Sequence, residues 1–314
     1  MIYNLSIFNK GGIGIETIRL DFPQKIQNNE HGIIFLSNLW WSIKNRYNTK
    51  IVLNAINTTK IDTNMCSPLG LILEKIKSKG NKIYFSSLSD ELKILLISNG
   101  FLNKIHMNKN KHSNKYIPYK TFNSQDKDEF TRYLEKNVLT YLQYKNIEIN
   151  TKEFMRIMVE IFINVKMHTI SKEVTTCGYY DEDNEDMYFT ISNHGITIKH
   201  NIEERNKYVF EDYIDAIQWA VKKSNSTREK NTPGGLGLFI SRNFIKNNGG
   251  SIKIVSGKGY WEESNGVIVK SKEMRTTFPG TIVNLKINLK YQEKKYYKLN
   301  KSEFSMEDIL GGNI

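Results

Sequence analysis

Asn231-Thr-Pro-Gly-Gly-Leu-Gly-Leu-Phe-Ile240 is the stretch on which the reading of this chain turns. Gly234, Gly235 and Gly237 stand between a proline and a run that reads as a helix over Leu238 to Asn247. A glycine-rich turn opening a helix suits an anion. Glycine lets backbone N–H groups approach phosphate closely, and the helix N-terminus adds unpaired donors and the positive end of its dipole. A flexible turn ahead of a core helix carries the same letters, so the stretch has to be weighed with its neighbours.

About seventy residues upstream lies Met158-Val-Glu-Ile-Phe-Ile-Asn-Val-Lys-Met-His168. Glu160, Asn164 and His168 are spaced i, i+4, i+8, which puts them on one face of a helix. Met158, Ile161, Phe162 and Val165 form the adjoining apolar stripe. An ordinary amphipathic helix with a solvated polar face has the same pattern. Between the two stretches, Tyr188-Phe-Thr-Ile-Ser-Asn-His-Gly195 reads as a strand running into a turn. Asn248-Gly-Gly-Ser-Ile-Lys-Ile-Val-Ser256 and Pro279-Gly-Thr-Ile-Val-Asn-Leu-Lys-Ile287 follow as further strands.

In this order the pieces resemble the GHKL ATPases (the Bergerat fold), which include DNA gyrase, the large heat-shock chaperone, sensor histidine kinases and anti-sigma-factor kinases. The resemblance covers residues from about 113 to 290. It implies that Glu160 is the catalytic base and that Asn164 is the Mg²⁺ ligand. His168, one turn further on, would either help order the phosphates or pack. Gly234, Gly235, Leu236 and Gly237 match the glycine box over the phosphates, and Thr281 matches the threonine of the last strand. The position of the adenine-binding Asp is taken by Asn193, followed by His194 and Gly195. An Asn carbonyl still accepts from an adenine amine but carries no charge. Ile198 to Thr232 has the length of an ATP lid, in which Phe210 to Lys223 reads as a helix. Within it, Ser226-Thr-Arg-Glu-Lys230 would bring Arg228 to the γ-phosphate.

The first third of the chain alternates between two periods. Lys50 to Asn54 reads as a strand, Pro68 to Lys77 as a helix, Lys82 to Phe85 as a strand and Asp90 to Asn99 as a helix. A helix over His31 to Tyr47 precedes them. Ser67 is the expected N-cap, Pro68 the first helical residue, and Gly80 and Gly100 the stops. Alternation of this kind implies a mostly parallel sheet. Gly11-Gly-Ile-Gly14 precedes a strand rather than a helix, so it reads as a hairpin turn. From Ile51 to Leu102 the pattern resembles a STAS domain, the fold of anti-sigma-factor antagonists. In that family a phosphorylatable serine opens the helix where Ser67 stands, though the Asp-Ser-Ser core is not preserved and a capping role is the simpler reading.

Lys104 to Gln125 is basic and aperiodic and reads as a linker or edge segment. Asp126 to Tyr144 reads as a helix. Asp181-Glu-Asp-Asn-Glu-Asp186 reads as the tip of a hairpin, not a calcium loop. The fold class expected is therefore α/β. A STAS-like βαβα unit spans residues 1–112, and a GHKL sandwich with a mixed sheet covered by helices on one face spans 113–292. A basic tail spans 293–314.

The chain has 314 residues with 45 Lys and Arg against 33 Asp and Glu, a net charge of +12. That charge suits nucleic acid or an acidic partner, but A/T-rich codon usage, visible in the abundance of Lys, Asn and Ile, scatters cations in the same way. Cys66 and Cys177 form no C-x-x-C pair, so neither a disulfide framework nor a zinc site is expected. No leader and no apolar run of membrane-spanning length is read, and a cytoplasmic location follows as the expectation.

The resemblance to the GHKL ATPases implies ATP with Mg²⁺ as ligands. It also implies hydrolysis, or transfer of the γ-phosphate to a Ser or Thr of a protein partner, with lid closure as the switch. The partners expected are a STAS-type or sigma-factor-like protein and a second copy of the chain. The alternative is a nucleotide-gated interaction protein without turnover, in a DNA-associated or phage-defence assembly.

Overall fold

The computed structural model describes residues 5–8, 16–102, 115–147, 149–167, 173–206, 208–222 and 237–290. Two sheets organise them. The first has four strands, β1 (Leu5–Phe8), β2 (Thr17–Asp21), β4 (Lys50–Asn54) and β6 (Lys82–Ser86), in that spatial order. β1 is antiparallel to β2, whereas β2, β4 and β6 run parallel. A two-stranded pair, β3 (Lys25–Ile26) and β5 (Lys60–Ile61), lies apart from it.

The crossovers are α1 (Glu30–Ile43), between β2 and β4, and α2 (Cys66–Lys77), between β4 and β6. α1 starts where the Asn29 side chain accepts from Gly32 N–H, with Glu30 in the first turn. α3 (Asp90–Ser98) starts in the same way on Ser89, which accepts from Leu92 N–H. Gly80 and Gly100, each with φ of 80°, follow α2 and α3 in the left-handed conformation that ends a helix.

The second sheet holds β7 (Tyr116–Asn123), β8 (Glu173–Asp181), β9 (Asp186–His194), β10 (Ser251–Ser264) and β11 (Val267–Asn288), in the order β10-β11-β9-β8-β7. Every pairing in it is antiparallel, so the expected mixed sheet is not found. On one face lie α4 (Lys127–Leu134), continued by a π-turn (Glu135–Leu139) and α5 (Thr140–Tyr144), then α6 (Thr151–Met167) and α9 (Gly237–Asn247). α7 (Ile198–Asn206) and α8 (Tyr213–Ala220), within the segment expected as a lid, pack beside β10.

The other face is covered too, which corrects the expectation of helices on one face only. α1 packs on β11, and α2 packs on β8 and β9. One apolar core joins Ile18, Leu20, Ile51 and Leu53 of the first sheet to Leu36, Leu69 and Ile72 of the two helices. It continues to Cys177, Val255, Phe278 and Ile282 of the second sheet. The helices are thus a shared layer between two sheets.

Three local readings change for the same reason. Ser67 neither caps α2 nor reaches solvent. A 3₁₀ turn, Thr63–Met65, leads into the helix, so Cys66 is its first residue and Pro68 its third. Pro68 is tolerated there because first-turn N–H groups have no intrahelical acceptor. Ser67 is fully buried, donating to Thr175 O at 2.9 Å and lying 2.9 Å from Ser192 Oγ, so it ties α2 to β8 and β9. Within the segment read as a linker, Tyr116–Asn123 is strand β7. Ile117 and Phe122 are buried in the core beneath α4 and α6 and Tyr119 in the core on the α2 side, with a register shift against β8 between Ile117 and Lys120, so no simple period marks the strand in the sequence. Last, β10 and β11 extend far beyond the strands read, as a long hairpin turning at Asn265 and Gly266.

Candidate nucleotide site

The alternation of β9 divides its side chains between two environments. Met187, Phe189 and Ile191 enter the core beneath α6, while Thr190 and Ser192 bond to Asn64 and Ser67 on the opposite side. Asn193 is therefore on the α6 side, and His194 on the α1–α2 side, where its ring meets Trp40 edge-on at 4.6 Å between centroids.

Asn193 is fully buried, yet neither Oδ1 nor Nδ2 of its amide has a hydrogen-bond partner among the described residues. A buried amide left in this state costs on the order of 1–3 kcal/mol for each unmade bond, so a group from outside the protein fits here. The backbone around it is specialised. Gly195 has φ of 144° and donates its N–H to Pro279 O at 3.1 Å. Gly280 has φ of 154°, and a Cβ there would lie 2.0 Å from Asn193 O. Only glycine at 280 lets β11 come this close to Asn193.

Thr281 stands directly across from Asn193 in the ladder. It is 1% exposed, and its hydroxyl is 2.9 Å from Ser256 Oγ of β10, which also accepts from Ile198 N–H at 2.9 Å. Ser256 thus fastens the start of α7, in the segment expected as a lid, to the strand ends that carry Asn193 and Thr281. Sequence reading did not single out Ser256 or Gly280. The Pro-Gly pair just before Thr281 was the available signal for the second.

Glu160 and Asn164 are both half-buried on α6. That helix packs on β9 and on α9, whose first residue is Gly237. The fold therefore joins three expected boxes through α6: it touches the strand of Asn193 and the helix opened by the glycine-rich turn. His168, Arg228, Gly234, Gly235 and Leu236 lie outside the described residues.

His194 is electrostatically distinct. Burial, with smaller contributions from the nearby Lys75 and Lys79 charges, pushes its imidazole down to about 4. It stays neutral at physiological pH and belongs to the packing layer rather than to the site.

Among the described residues no helix is long and apolar enough to cross a membrane, and no group of three or more His, Cys, Asp or Glu gathers as a metal cage. Neither a protein-family model nor a characterised protein matches the sequence.

Proposed function

We propose that this chain is an ATP-binding protein of the GHKL class, carrying a STAS-like unit ahead of its nucleotide domain. One observation carries the reading: the amide of Asn193 is fully buried and unpartnered, at the strand end where the resemblance puts the adenine contact. An amide has one acceptor and two donors, and adenine presents an amine beside ring nitrogens, so both halves of Asn193 find complements on one base edge. Gly280 lets β11 close against the backbone of Asn193 and so fixes the strand end that carries the amide.

Around the base, Gly234 to Gly237 would offer backbone N–H groups to the phosphates at the start of α9, where the helix dipole favours an anion. Asn164 would hold Mg²⁺ together with the phosphates, since this ion takes few protein ligands. When bound, Mg²⁺ supplies charge neutralisation to the transferring phosphoryl group. Glu160, one turn before Asn164, would take the proton of an attacking hydroxyl. Water as the attacking group gives an ATPase, and a Ser or Thr of a protein partner gives a kinase of the anti-sigma type. The Ser256–Ile198 bond links the site to the lid helices, the route by which closure would reach a partner.

Two variants and one label test this. Asn193→Ala should weaken ATP binding about tenfold, the value of one or two hydrogen bonds, and leave the thermal midpoint equal or higher because a buried unpaired amide is removed. Unchanged affinity would assign the amide to a buried water instead. With γ-labelled ATP, Glu160→Ala should cost about 10²-fold or more in the rate of label release or transfer while binding persists. Binding by the wild type without any release or transfer would make it the nucleotide-gated partner without turnover.

A further inference from the structure

Among the described residues the first sheet has an open face. In β2, Ile18 and Leu20 point into the core, as do Ile51 and Leu53 in β4 and Ile83 in β6. The alternate residues, Arg19, Lys50, Val52, Lys82 and Tyr84, point the other way. No helix of the described residues lies on them. Arg19, Lys50 and Lys82 are exposed, and Tyr84 is 43% exposed. Parallel strands are ordinarily covered on both faces, so a bare parallel face is out of place in a folded chain.

Register makes the face chemically specific. Lys50 pairs with Lys82 on the next strand, and Arg19, Val52 and Tyr84 form the adjacent row. The Lys50 ammonium lies 5.2 Å from the centre of the Tyr84 ring. Among the described residues none of the three cations is ion-paired with a carboxylate, although carboxylates pair with cations elsewhere, as Glu16 does with Arg46. Two lysines on neighbouring strands repel each other, and no carboxylate among the described residues pairs with either. A polar cluster on this face, Asp21, Asn54 and Ser86, is satisfied internally. Asn54 Nδ2 donates to Asp21 Oδ1 at 2.7 Å and Ser86 Oγ to Asn54 Oδ1 at 3.3 Å. It is not set up to read a sugar hydroxyl.

We infer that this face is a platform for a single-stranded polynucleotide, held by its phosphates on Arg19, Lys50 and Lys82 and by a base stacked on Tyr84, without regard to the sugar. Strands about 4.8 Å apart set cations and ring on the scale of neighbouring nucleotides, and an aromatic beside cations is the usual means of binding a single strand without sequence preference. A polyanion also removes the lysine–lysine repulsion. An acidic peptide would use the charges but not the exposed ring.

The test uses the full chain and fluorescein-labelled oligothymidylate and oligouridylate about 20 nucleotides long, which exceeds the ~4–16 nucleotides that one such platform spans. Both should bind, with log K falling against log salt at a slope near −2, about −0.7 for each of three cations. Lys50→Glu with Lys82→Glu should weaken binding and flatten that slope to less than about half. If charge reversal perturbs folding, judged by the thermal midpoint, Lys50→Gln with Lys82→Gln serves instead. Tyr84→Ala should weaken binding roughly 5- to 150-fold with the slope unchanged, since a stack is lost and no phosphate contact. Absence of binding, or insensitivity to the lysine changes, overturns the proposal. So does equal affinity for a duplex, competition by polyglutamate at equal charge (an acidic protein site), or a more than tenfold preference for one sugar.

Discussion

Asn193 and His194 are neighbours in sequence and face opposite sides of β9, and their chemistry follows from that. Asn193 is neutral, buried and unpartnered, and it suits a ligand. His194 is packed against Trp40 and held neutral, so it suits stability. Its folded-state value of about 4 lies below the usual 6.5, so the unfolded chain takes up a proton first as the pH falls. The native state should therefore lose stability between about pH 6.5 and 4, by up to about 3 kcal/mol, and hold steady above that window. Urea unfolding at pH 7 and pH 4.5 measures this. His194→Phe, which keeps the ring contact with Trp40, should remove most of the difference. An equal pH response in that variant would put the loss on other groups. Ser67 makes the same point by its burial. As a phosphate acceptor it would need to leave its bonds to Thr175 and Ser192, and a charge placed there would be desolvated between α2 and the second sheet.

At the scale of elements, α2 is unusual in being buried along most of its length, from Cys66 to Leu73. Gly70 sits in its middle, where glycine ordinarily costs about 1 kcal/mol of helix stability relative to alanine. The reason is β7: a Cβ at position 70 would lie 2.3 Å from the Tyr119 hydroxyl, which donates to Glu74 Oε1 at 2.8 Å. Gly70→Ala should therefore destabilise the protein by about 1–3 kcal/mol despite the better helix propensity, because the overpacking outweighs it. Chemical denaturation would register a lower midpoint at unchanged slope. A raised midpoint would show that Tyr119 moves aside freely and that α2 and β7 are loosely joined. The strand itself was hidden in the sequence by its basic, Asn-rich surroundings. Its burial on both faces becomes visible only once α2 supplies a surface for Tyr119 and α4 one for Phe122 and its neighbour Phe130.

The whole molecule is four layers: the first sheet, α1 with α2, the second sheet, and the layer of α4, α5, α6 and α9. The apolar core beneath α1 and α2 crosses residue 112 in both directions, and polar ties follow it. Asn64 donates to Thr190 Oγ1 at 3.1 Å, Trp41 to Thr277 O at 2.7 Å, and Lys270 and Lys272 each lie 2.8 Å from a Glu30 carboxylate oxygen. A fragment of residues 1–112 would expose the faces of both helices, an apolar patch of the kind that drives association. Such a fragment should aggregate or remain partly folded, and co-expression with residues 113–314 should restore a folded complex. A monomeric fragment with a cooperative thermal transition would show instead that the first unit stands alone and that the shared core is a docking surface.

Local rules in the sequence determined a good deal. The starts of α1 and α3, the left-handed stops at Gly80 and Gly100, the acidic hairpin tip before Asp186 and the helical character of α6 all follow from periodicity and capping. Those are set by neighbours a few residues away. The alternation of strand and helix in the first third implied parallel strands, and the set Glu160, Asn164, Asn193, Gly237 and Thr281 was drawn from the resemblance to the GHKL ATPases. Tertiary structure alone decided which side of β9 Asn193 would face. It likewise decided that Gly280 would press on the backbone of Asn193, that Ser256 would join the start of α7 to Thr281, and that α1 and α2 would become the second cover of the antiparallel sheet. Each depends on residues far apart in sequence meeting across a strand ladder or a helix face. No local pattern records such a meeting, because the partners' separation along the chain is free until the apolar layers close around them.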